Sequence, residues 1–552
     1  MRNKVNHVLR VLLIFCLLLS GLPVFAAGTG ETYTVAEKAT DIPAQYVLCQ
    51  EGYASVLIEG SPLTEQERNA LYNMLAEDLK RTNEQMPPEE RIASVDELIA
   101  RYFDEADFDE YCETVAGNTC LQAVVSPDGT IVMPLGRNTG NRETANWYYI
   151  SDGVISRNNT RDYVESNPSE GDGYFDLTGR PLFDQKYPYG KPFFNNAAFV
   201  RTLTTETVTD EESGEETESR IFHAYLIDKS GRILLDLSDN FAKCNGMGDS
   251  MHGMFFVMLG NCGGYSEDLI GFSHELDLGK NVLEEKTWDD PQAYNLCGYM
   301  DLQGNVVIPQ KYYDSRPFSR GMAAVQSAEV KTVYVYWDDE IGDMVRAETP
   351  DGASDPENVS EELAAVPGKW GFIDKAGNTV IPFIYDKAGS FTDDYAVVTK
   401  DGKSGVIDRS GNMAVPFTDG VIYDNVDQGL YVIVDGKGAE VKSISGKTVW
   451  SLGADQFEDI SGISDGVLYY VKNGKLNVVT VDKNRDAGDV DGDNAVAAAD
   501  ARLALRAAVG LERYRPGSAV FNAADANHDG VLSAEDARLI LRASVGLETL
   551  SA

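Results

Sequence analysis

The chain has 552 residues, with 88 Asp and Glu against 47 Lys and Arg and a formal net charge of −41. So acidic a field repels nucleic-acid phosphates and anionic membranes, which excludes both as partners, and it suits a protein that must stay soluble outside the cell. The length allows three or more domains, and 43% hydrophobic residues are enough to fill their cores.

Residues 1–26 carry Arg2, Lys4 and Arg10, then an apolar run from Val11 to Leu19, then Pro23 and the small-residue end Val24-Phe25-Ala26. This pattern predicts a secretory signal peptide, too short and one-sided for a stable membrane span. Cys16 does not make it a lipoprotein signal, because Phe15 stands where a small residue is needed. No later run approaches the roughly 18 apolar residues of a membrane helix. The mature chain is expected to be secreted and extracellular, without a membrane span. Its cysteines are Cys49, Cys112, Cys120, Cys244, Cys262 and Cys297, an even number that permits disulfides. Cys112 with Cys120, and Cys244 with Cys262, are near enough in sequence to close small loops. With no CxxC pair and few histidines, zinc has little support.

The segment 30–119 is expected to be an α-helical N-terminal region. Thr64 with Glu67 and Ser94 with Glu97 have the spacing of capping boxes, in which each side chain satisfies the other's free backbone N–H. Leu71, Met74, Leu75 and Leu79 mark one apolar face, and Leu98, Ile99, Tyr102 and Phe103 another, with Pro87 and Pro88 between them. The adjacent acids Glu89 and Glu90 belong to this polar connection and not to a catalytic pair.

From 120 to 480 one motif recurs: apolar residues, Asp, two residues, Gly, a polar step, an apolar run and often Pro. It stands as YFDLTGRPLF at 174–183, YLIDKSGRILL at 225–235, GYMDLQGNVVIP at 298–309, GFIDKAGNTVIP at 371–382 and GVIDRSGNMAVP at 405–416. Each copy predicts a β-hairpin whose Gly supplies a positive φ and whose second strand ends at Pro. Asp176, Asp228, Asp301, Asp374 and Asp408 should open the turns by accepting backbone N–H groups. A Tyr-Asp element and another strand follow, as in KYYDSRPFSRGMAAV at 311–325 and IYDKAGSFTDDYAVV at 384–398. The full unit resembles the WG repeat family, with the name-giving pair at Trp370-Gly371. That resemblance implies stacked β units without a defined shared activity. Such units bury their apolar faces only by stacking, so the region should form one β body, either elongated or closed into a ring. The acidic stretch near 204–219 and the segment near 338–366 read as polar loops.

No catalytic constellation emerges from this region. Gly248-Asp249-Ser250 echoes a hydrolase block, but the only later Asp-x-x-His is Asp525 to His528, inside a different motif. His223, His252 and His274 have no partners by spacing. The 27 Tyr, if exposed on β repeats, would offer flat platforms for sugar rings or protein partners, and core packing accounts for them equally well.

The segment 486–552 holds one chemical pattern twice. Asp489, Asp491, Asp493 and Asp500 occupy places one, three, five and twelve of a twelve-residue loop, and Asp525, Asn527, Asp529 and Asp536 repeat them. A hard dication such as Ca2+ takes six to eight oxygens at about 2.3–2.6 Å, and this spacing turns alternate side chains inward. The place-seven carbonyls of Ala495 and Val531, with Ser533 at place nine of the second loop, complete the expected ligands. Two ions are expected. The first loop should bind more weakly, because it has Asn494 where the second has Gly530 and Ala497 where the second has Ser533. Each loop runs into a helix, DARLALRAAVGL at 500–511 and DARLILRASVGL at 536–547. Leu503 with Leu539, Leu505 with Leu541 and Val509 with Val545 are read as matching apolar faces, and Gly510 and Gly546 as helix ends.

A loop followed by one helix, duplicated, with Asp at place twelve, resembles a type I dockerin. That resemblance covers about the last 65 residues. It implies docking to a cohesin domain of a scaffold protein, with places ten and eleven helping to choose the cohesin. Here those are Ala498 and Ala499, then Ala534 and Glu535. Apolar packing at the centre with Arg502, Arg506, Arg538 and Arg542 at the rim is the expected contact. The fold class is therefore multidomain, with a mainly β repeat region of stacked hairpins, an N-terminal α-helical segment and a C-terminal all-α EF-hand-like dockerin. The favoured function is a non-catalytic component of a cellulosome-type assembly, associated with scaffold or cell surface. Its β repeats would recognise a polysaccharide, a cell-wall polymer or another protein. The alternative is a polysaccharide-degrading enzyme, a glycoside hydrolase, whose carboxylate pair no spacing reveals among so many acids.

Overall fold

The computed structural model describes residues 31–550, apart from 104, 106, 140–147, 158–172, 186, 188, 195, 210–215, 237–264, 274–295, 302–304, 339–342, 348 and 351–358. The signal peptide, the 248–250 block, His252, His274, Cys244 and Cys262 lie outside the described residues.

The repeat motif folds as its chemistry dictates. Asp374 accepts the N–H groups of Ala376 and Asn378, both at 2.9 Å, and Asp408 those of Ser410 and Asn412 at the same distance. Asp176, Asp228 and Asp301 do likewise. These bonds, with that from the Ser230 hydroxyl foremost, hold the Asp228 carboxyl down to about 2. Pro309, Pro382 and Pro416 do not end their strands, contrary to expectation. They lie inside Val306–Ser315, Thr379–Tyr385 and Met413–Thr418, each at a break in register with the preceding strand. A bulge there spares the ladder the missing N–H. The bulge also explains the glycine that opens each motif: a Cβ on Gly298 would lie 2.6 Å from the Ile308 carbonyl, and one on Gly371 2.8 Å from that of Ile381. The aromatic residue that follows packs on the next element. Tyr299 meets Phe318 and Phe372 meets Phe391, with ring centroids 4.8 and 4.9 Å apart and at the same sequence separation.

Among the described residues the hairpins assemble into seven antiparallel sheets, arranged like the blades of a propeller. The largest has eight strands, because Val306–Ser315 is shared between two consecutive repeats. The ring is closed. Tyr33–Pro43 pairs antiparallel with Lys475–Lys483, from Tyr33 opposite Lys483 to Ala39 opposite Asn477, and so completes the sheet begun by the last repeat. The chain then enters the neighbouring sheet at Tyr46–Gln50, and Val47, Val56 and Ala123 share one core with Val467, Tyr469 and Val478.

Several boundaries differ from expectation. The helical character expected across 30–119 is confined to Glu65–Gln85, Val95–Tyr102 and Phe108–Gly117, since residues 33–59 are largely strand. The helices are an insertion between Tyr53–Glu59 and Thr119–Val125, which pair with each other. The Thr64–Glu67 capping box forms in full, whereas at Ser94 only the forward half does, Ser94 accepting from the Glu97 N–H while the Glu97 carboxylate takes the Ala93 N–H; Leu75, Ile92, Val95, Leu98 and Ile99 make the helices' core. Met74, Tyr102 and Phe103 remain exposed, because three short helices leave their outer faces uncovered. The described flanks of the two expected polar loops are mostly strand: Ala197–Thr209 with Glu216–Asp228, and Met322–Asp338 with Ser360–Asp374, form long ribbons rich in Thr and Val, while 210–215, 339–342 and 351–358 lie outside the described residues. Cys49, Cys112 and Cys120 are free thiols, so no bridge closes 112–120, whose cysteines lie on a helix and on a strand. Cys297 is disulfide-bonded.

One feature of the ring was not visible in the sequence. Just before a strand that is flanked on both sides, sheet after sheet turns through a left-handed residue: Glu51, Asp152, Arg320, Asp393, Gln428 and Asp465 have φ between 47° and 56°. Acids at or beside these turns reach the backbone of the next sheet. Glu51 accepts from Gly153 at 2.8 Å, Asp393 from Gln428 at 2.8 Å and Asp427 from Gly466 at 2.7 Å. Burial, then the charge of Asp393, pushes Asp427 up to about 6; burial, then Asp427, pushes Asp465 up to about 8. Raised carboxyl values mean that the folded state holds its protons more tightly than the unfolded chain does. The stability they contribute is complete below about pH 4 and is lost as pH climbs to roughly 8. Asp465→Asn, which keeps a side-chain acceptor, is expected to raise the thermal midpoint by a few degrees near about pH 8.5 and much less near about pH 5. Melting followed by circular dichroism at fixed calcium reads this difference, and equal gains at both pH values would contradict it.

Candidate metal centre

The two acidic loops fold alike down to single hydrogen bonds. In the first, Asp489 accepts from the N–H of Asp493 at 3.0 Å and of Asn494 at 3.1 Å; in the second, Asp525 accepts from Asp529 at 3.2 Å and Gly530 at 2.9 Å. Asp493 and Asp529 receive the N–H groups of Ala495 and Val531, which fixes place seven of each loop. The place-twelve acids fold back across the loops. Asp500 takes the N–H of Asp491 at 3.0 Å and of Ala497 at 2.8 Å, and Asp536 that of Asn527 at 3.2 Å and of Ser533 at 2.9 Å; Asp500 takes that of Val490 as well, at 2.7 Å. Both are fully buried. Asn494 adopts φ 68° and Gly530 φ 80°, the left-handed turn expected at place six.

Each loop thus spends some lone pairs on its own backbone, and in the first the remaining oxygens converge. One oxygen from each of Asp489, Asp491 and Asp493 lies within 4.8 Å of the others. Burial, and beyond it the Asp500 charge, pushes the carboxyls of Asp489 and Asp491 above the usual range. That crowding is what a cation relieves. The donor set is oxygen alone, without Cys or His among the predicted places, and fits a hard dication such as Ca2+ better than a transition metal.

The loops differ at place nine. Ser533 caps the Ala534–Ser544 helix, accepting from Glu535 N–H at 3.2 Å and donating to Asp536 at 3.0 Å. Ala497 holds the same place before Ala498–Ala508 and has no oxygen to offer.

The helices pack through small residues. Ala501, Ala504, Ala537 and Ile540 form the core with Val490, Val520 and Ala524, and Leu503 and Leu539 lie half-buried against it. Leu505, Val509, Leu541 and Val545, read as parts of the matching apolar faces, are 44–65% exposed. Helix phase is the reason. Asp500 and Asp536 must face their loops, and at about 100° per residue that turns the positions five and nine later to the far side. Leu511 and Leu547 are exposed as well, so an apolar row is duplicated along with the loops.

Of the expected partner residues, Ala498, Ala534, Glu535, Arg502, Arg538 and Arg542 are exposed, and Ala499 and Arg506 are half-buried. Three of the arginines engage acids of the tail: Arg506 with Glu512 at 3.0 Å, Arg538 with Glu535 at 2.9 Å and Arg542 with Glu548 at 3.2 Å. His528 sits at place four of the second loop with φ 58°, a structural turn position, and His223 stacks on Tyr225. Among the described residues, no helix is long and apolar enough to cross a membrane.

Comparison with known families agrees with this geometry. Residues 487–543 match the type I dockerin domain, and residues 298–327 and 370–403 match WG containing repeats. No curated protein matches the chain. Solved structures similar to it include BamB from Moraxella catarrhalis, 10% identical, covering 61% of this chain and 91% of that one with a TM-score of 0.22. Another is AztD from Citrobacter koseri, 12% identical, covering 67% and 95% with a TM-score of 0.26. Scores this low carry no argument about function or detailed fold.

The difference at place nine is directly testable. Ala497→Ser gives the first tail helix the cap that Ser533 gives the second, and is expected to stabilise it by about 1 kcal/mol. Chemical denaturation of the calcium-loaded chain, followed by hydrogen exchange within 498–508, measures the gain. A null result would mean that this helix end is held by other contacts.

Proposed function

On the premise that residues 487–543 form a type I dockerin domain, we propose that this chain is a secreted, non-catalytic component of a cellulosome-type extracellular assembly. Type I dockerins bind calcium, and a dockerin implies a cohesin partner. In this reading the tail holds two calcium ions through Asp489, Asp491, Asp493, Ala495 and Asp500, and through Asp525, Asn527, Asp529, Val531, Ser533 and Asp536. The bound ions fix two helices in the arrangement that a scaffold cohesin recognises. The propeller is then the cargo, presenting its β surface to a polysaccharide, a cell-wall polymer or another protein.

The observation that carries the reading is that the exposed apolar row is duplicated in step with the loops. Leu505 and Leu541, with Val509 and Val545, are held in water by helices whose opposite faces are anchored by buried ligand acids. Isolated apolar residues on a surface need no explanation, but a row repeated with its metal loops marks a contact face. Ala498, Ala499, Ala534 and Glu535 continue it toward the loops, and Arg502, Arg506, Arg538 and Arg542 border it, where guanidinium groups meet partner carboxylates.

Calorimetry on the mature chain is expected to count two calcium ions, the second loop binding more tightly. Cohesin binding should vanish in chelator and return with calcium. Leu505→Asp with Leu541→Asp should weaken cohesin at least about 100-fold, the scale of losing central apolar anchors, while calcium uptake is unchanged. Cohesin binding that persists in chelator would overturn the docking assignment.

A further inference from the structure

The tail does not hang free of the propeller. Only residues 484–488 separate the last propeller strand, which ends at Lys483, from the first loop acid, and that junction is itself bonded: Asn484 donates to Thr32 at 2.9 Å through its backbone and at 3.0 Å through its side chain. Lys483 donates to the Gly492 carbonyl at 2.8 Å, and Arg485 to Gln428 of the propeller at 2.9 Å.

Beyond the first tail helix, the segment 510–516 crosses the mouth of the ring. The left-handed turns there enclose a cavity of about 1420 Å3, to which the propeller contributes Glu51, Asp128, Asp152, Asp393, Asp427 and Asp465 and, as a cation, Arg320. The tail supplies the missing positive charge. Arg515 spans both oxygens of Asp482 at 3.1 and 3.2 Å, and its backbone N–H and Nε reach Asp465 at 3.4 Å. The guanidinium of Arg513 fills the space over Gly153, where a Cβ would lie 0.9 Å from its Nη1. Gly153 belongs to the turn whose N–H Glu51 accepts. Glu512 turns the other way, receiving Arg320 of the propeller at 3.3 Å and Arg506 of its own helix at 3.0 Å. Carboxylates gathered in a half-closed cavity repel one another far more than they would in water, so a fixed guanidinium fork is the natural occupant.

We propose that the propeller mouth is a binding site for an arginine-bearing segment, and that Glu512–Arg515 of this chain occupies it. The tail is thereby latched to the propeller and presents its contact face in one orientation. The latch stands apart from the docking assignment: Leu505, Val509, Leu541 and Val545 are exposed while it is closed, so partner capture does not require its release.

Hydrogen exchange and small-angle scattering on the full chain in saturating calcium test this. In the wild type, amides of 511–516 should be protected and the scattering should fit a single compact arrangement. Arg513→Ala with Arg515→Ala should raise exchange across that segment at least about tenfold and lengthen the maximum dimension, with calcium uptake unchanged; about 1 M salt should act in the same direction, because it shortens the screening length to about 3 Å. Arg515→Lys should recover part of the protection. If the double variant loses calcium uptake, Asp482→Asn, which keeps an acceptor for the Ala519 N–H, reads the same contact from the propeller side. Wild-type amides at 511–516 exchanging as fast as in the variant, or wild-type scattering that requires many tail orientations, would overturn the proposal.

Discussion

A side-chain carboxyl accepting backbone N–H groups is the interaction on which this chain depends at every scale. Within a hairpin, Asp374 and Asp408 bind the amides two and four residues ahead and so set the turn. Between sheets, Glu51, Asp393 and Asp427 bind amides of the neighbouring turn. In the tail, Asp489 and Asp525 bind amides four and five residues ahead, which coils each loop around a place for a cation. Charge-assisted bonds of this kind are about twice as strong as neutral ones, and they need no bulky partner. Much of the acidity that reads as a solubility device in the composition is therefore structural.

The three uses differ in what offsets the charge. Turn acids face water, and solvent screens them. Loop acids crowd together and are suited to an ion. At the mouth, burial drives Asp427 and Asp465 upward. A site that pushes its own carboxyls toward protonation is incompletely neutralised, which is why the guanidinium groups of the tail belong there and why the ring and the tail are best understood as one electrostatic unit.

What the sequence made legible was the local chemistry. Asp176, Asp228, Asp301, Asp374 and Asp408 were readable as turn residues because their partners lie within four residues, and the loop spacing was readable because a twelve-residue coil needs little else. The matching of Leu505 with Leu541 and of Val509 with Val545 was legible, but not that these residues face water, because hydrophobicity alone does not say which side a helix buries. The buried Asp500 does, since its carboxylate must meet the Val490 amide. The closing strand was invisible for a different reason. Tyr33–Pro43 is mostly exposed along its length, as an outer strand is, so it lacks the apolar run of the other copies, and its partner lies at the far end of the repeats. The motif's opening glycine was legible as a repeat but not as a need, which appears only when the bulge at Pro309 or Pro382 is pressed against it.

Closure joins these elements into one argument about the tail. Bringing Tyr33–Pro43 to Lys475–Lys483 ties off a loop of nearly the whole propeller, yet the entropy cost grows only with the logarithm of length, about 0.6 kcal/mol per doubling. A strand of eleven residues with a shared core behind it offsets that readily. Because Lys483 is the last residue of the closing pair, the tail begins at the point of closure, and after five intervening residues the first loop starts. A junction so short leaves the tail only a narrow range of placements over the propeller. The mouth lies within that range, with Arg513 over Gly153 and Arg515 bonded to Asp482 and to the Asp465 backbone. The same strand pairing that closes the ring therefore also decides where the calcium loops and their apolar row are carried.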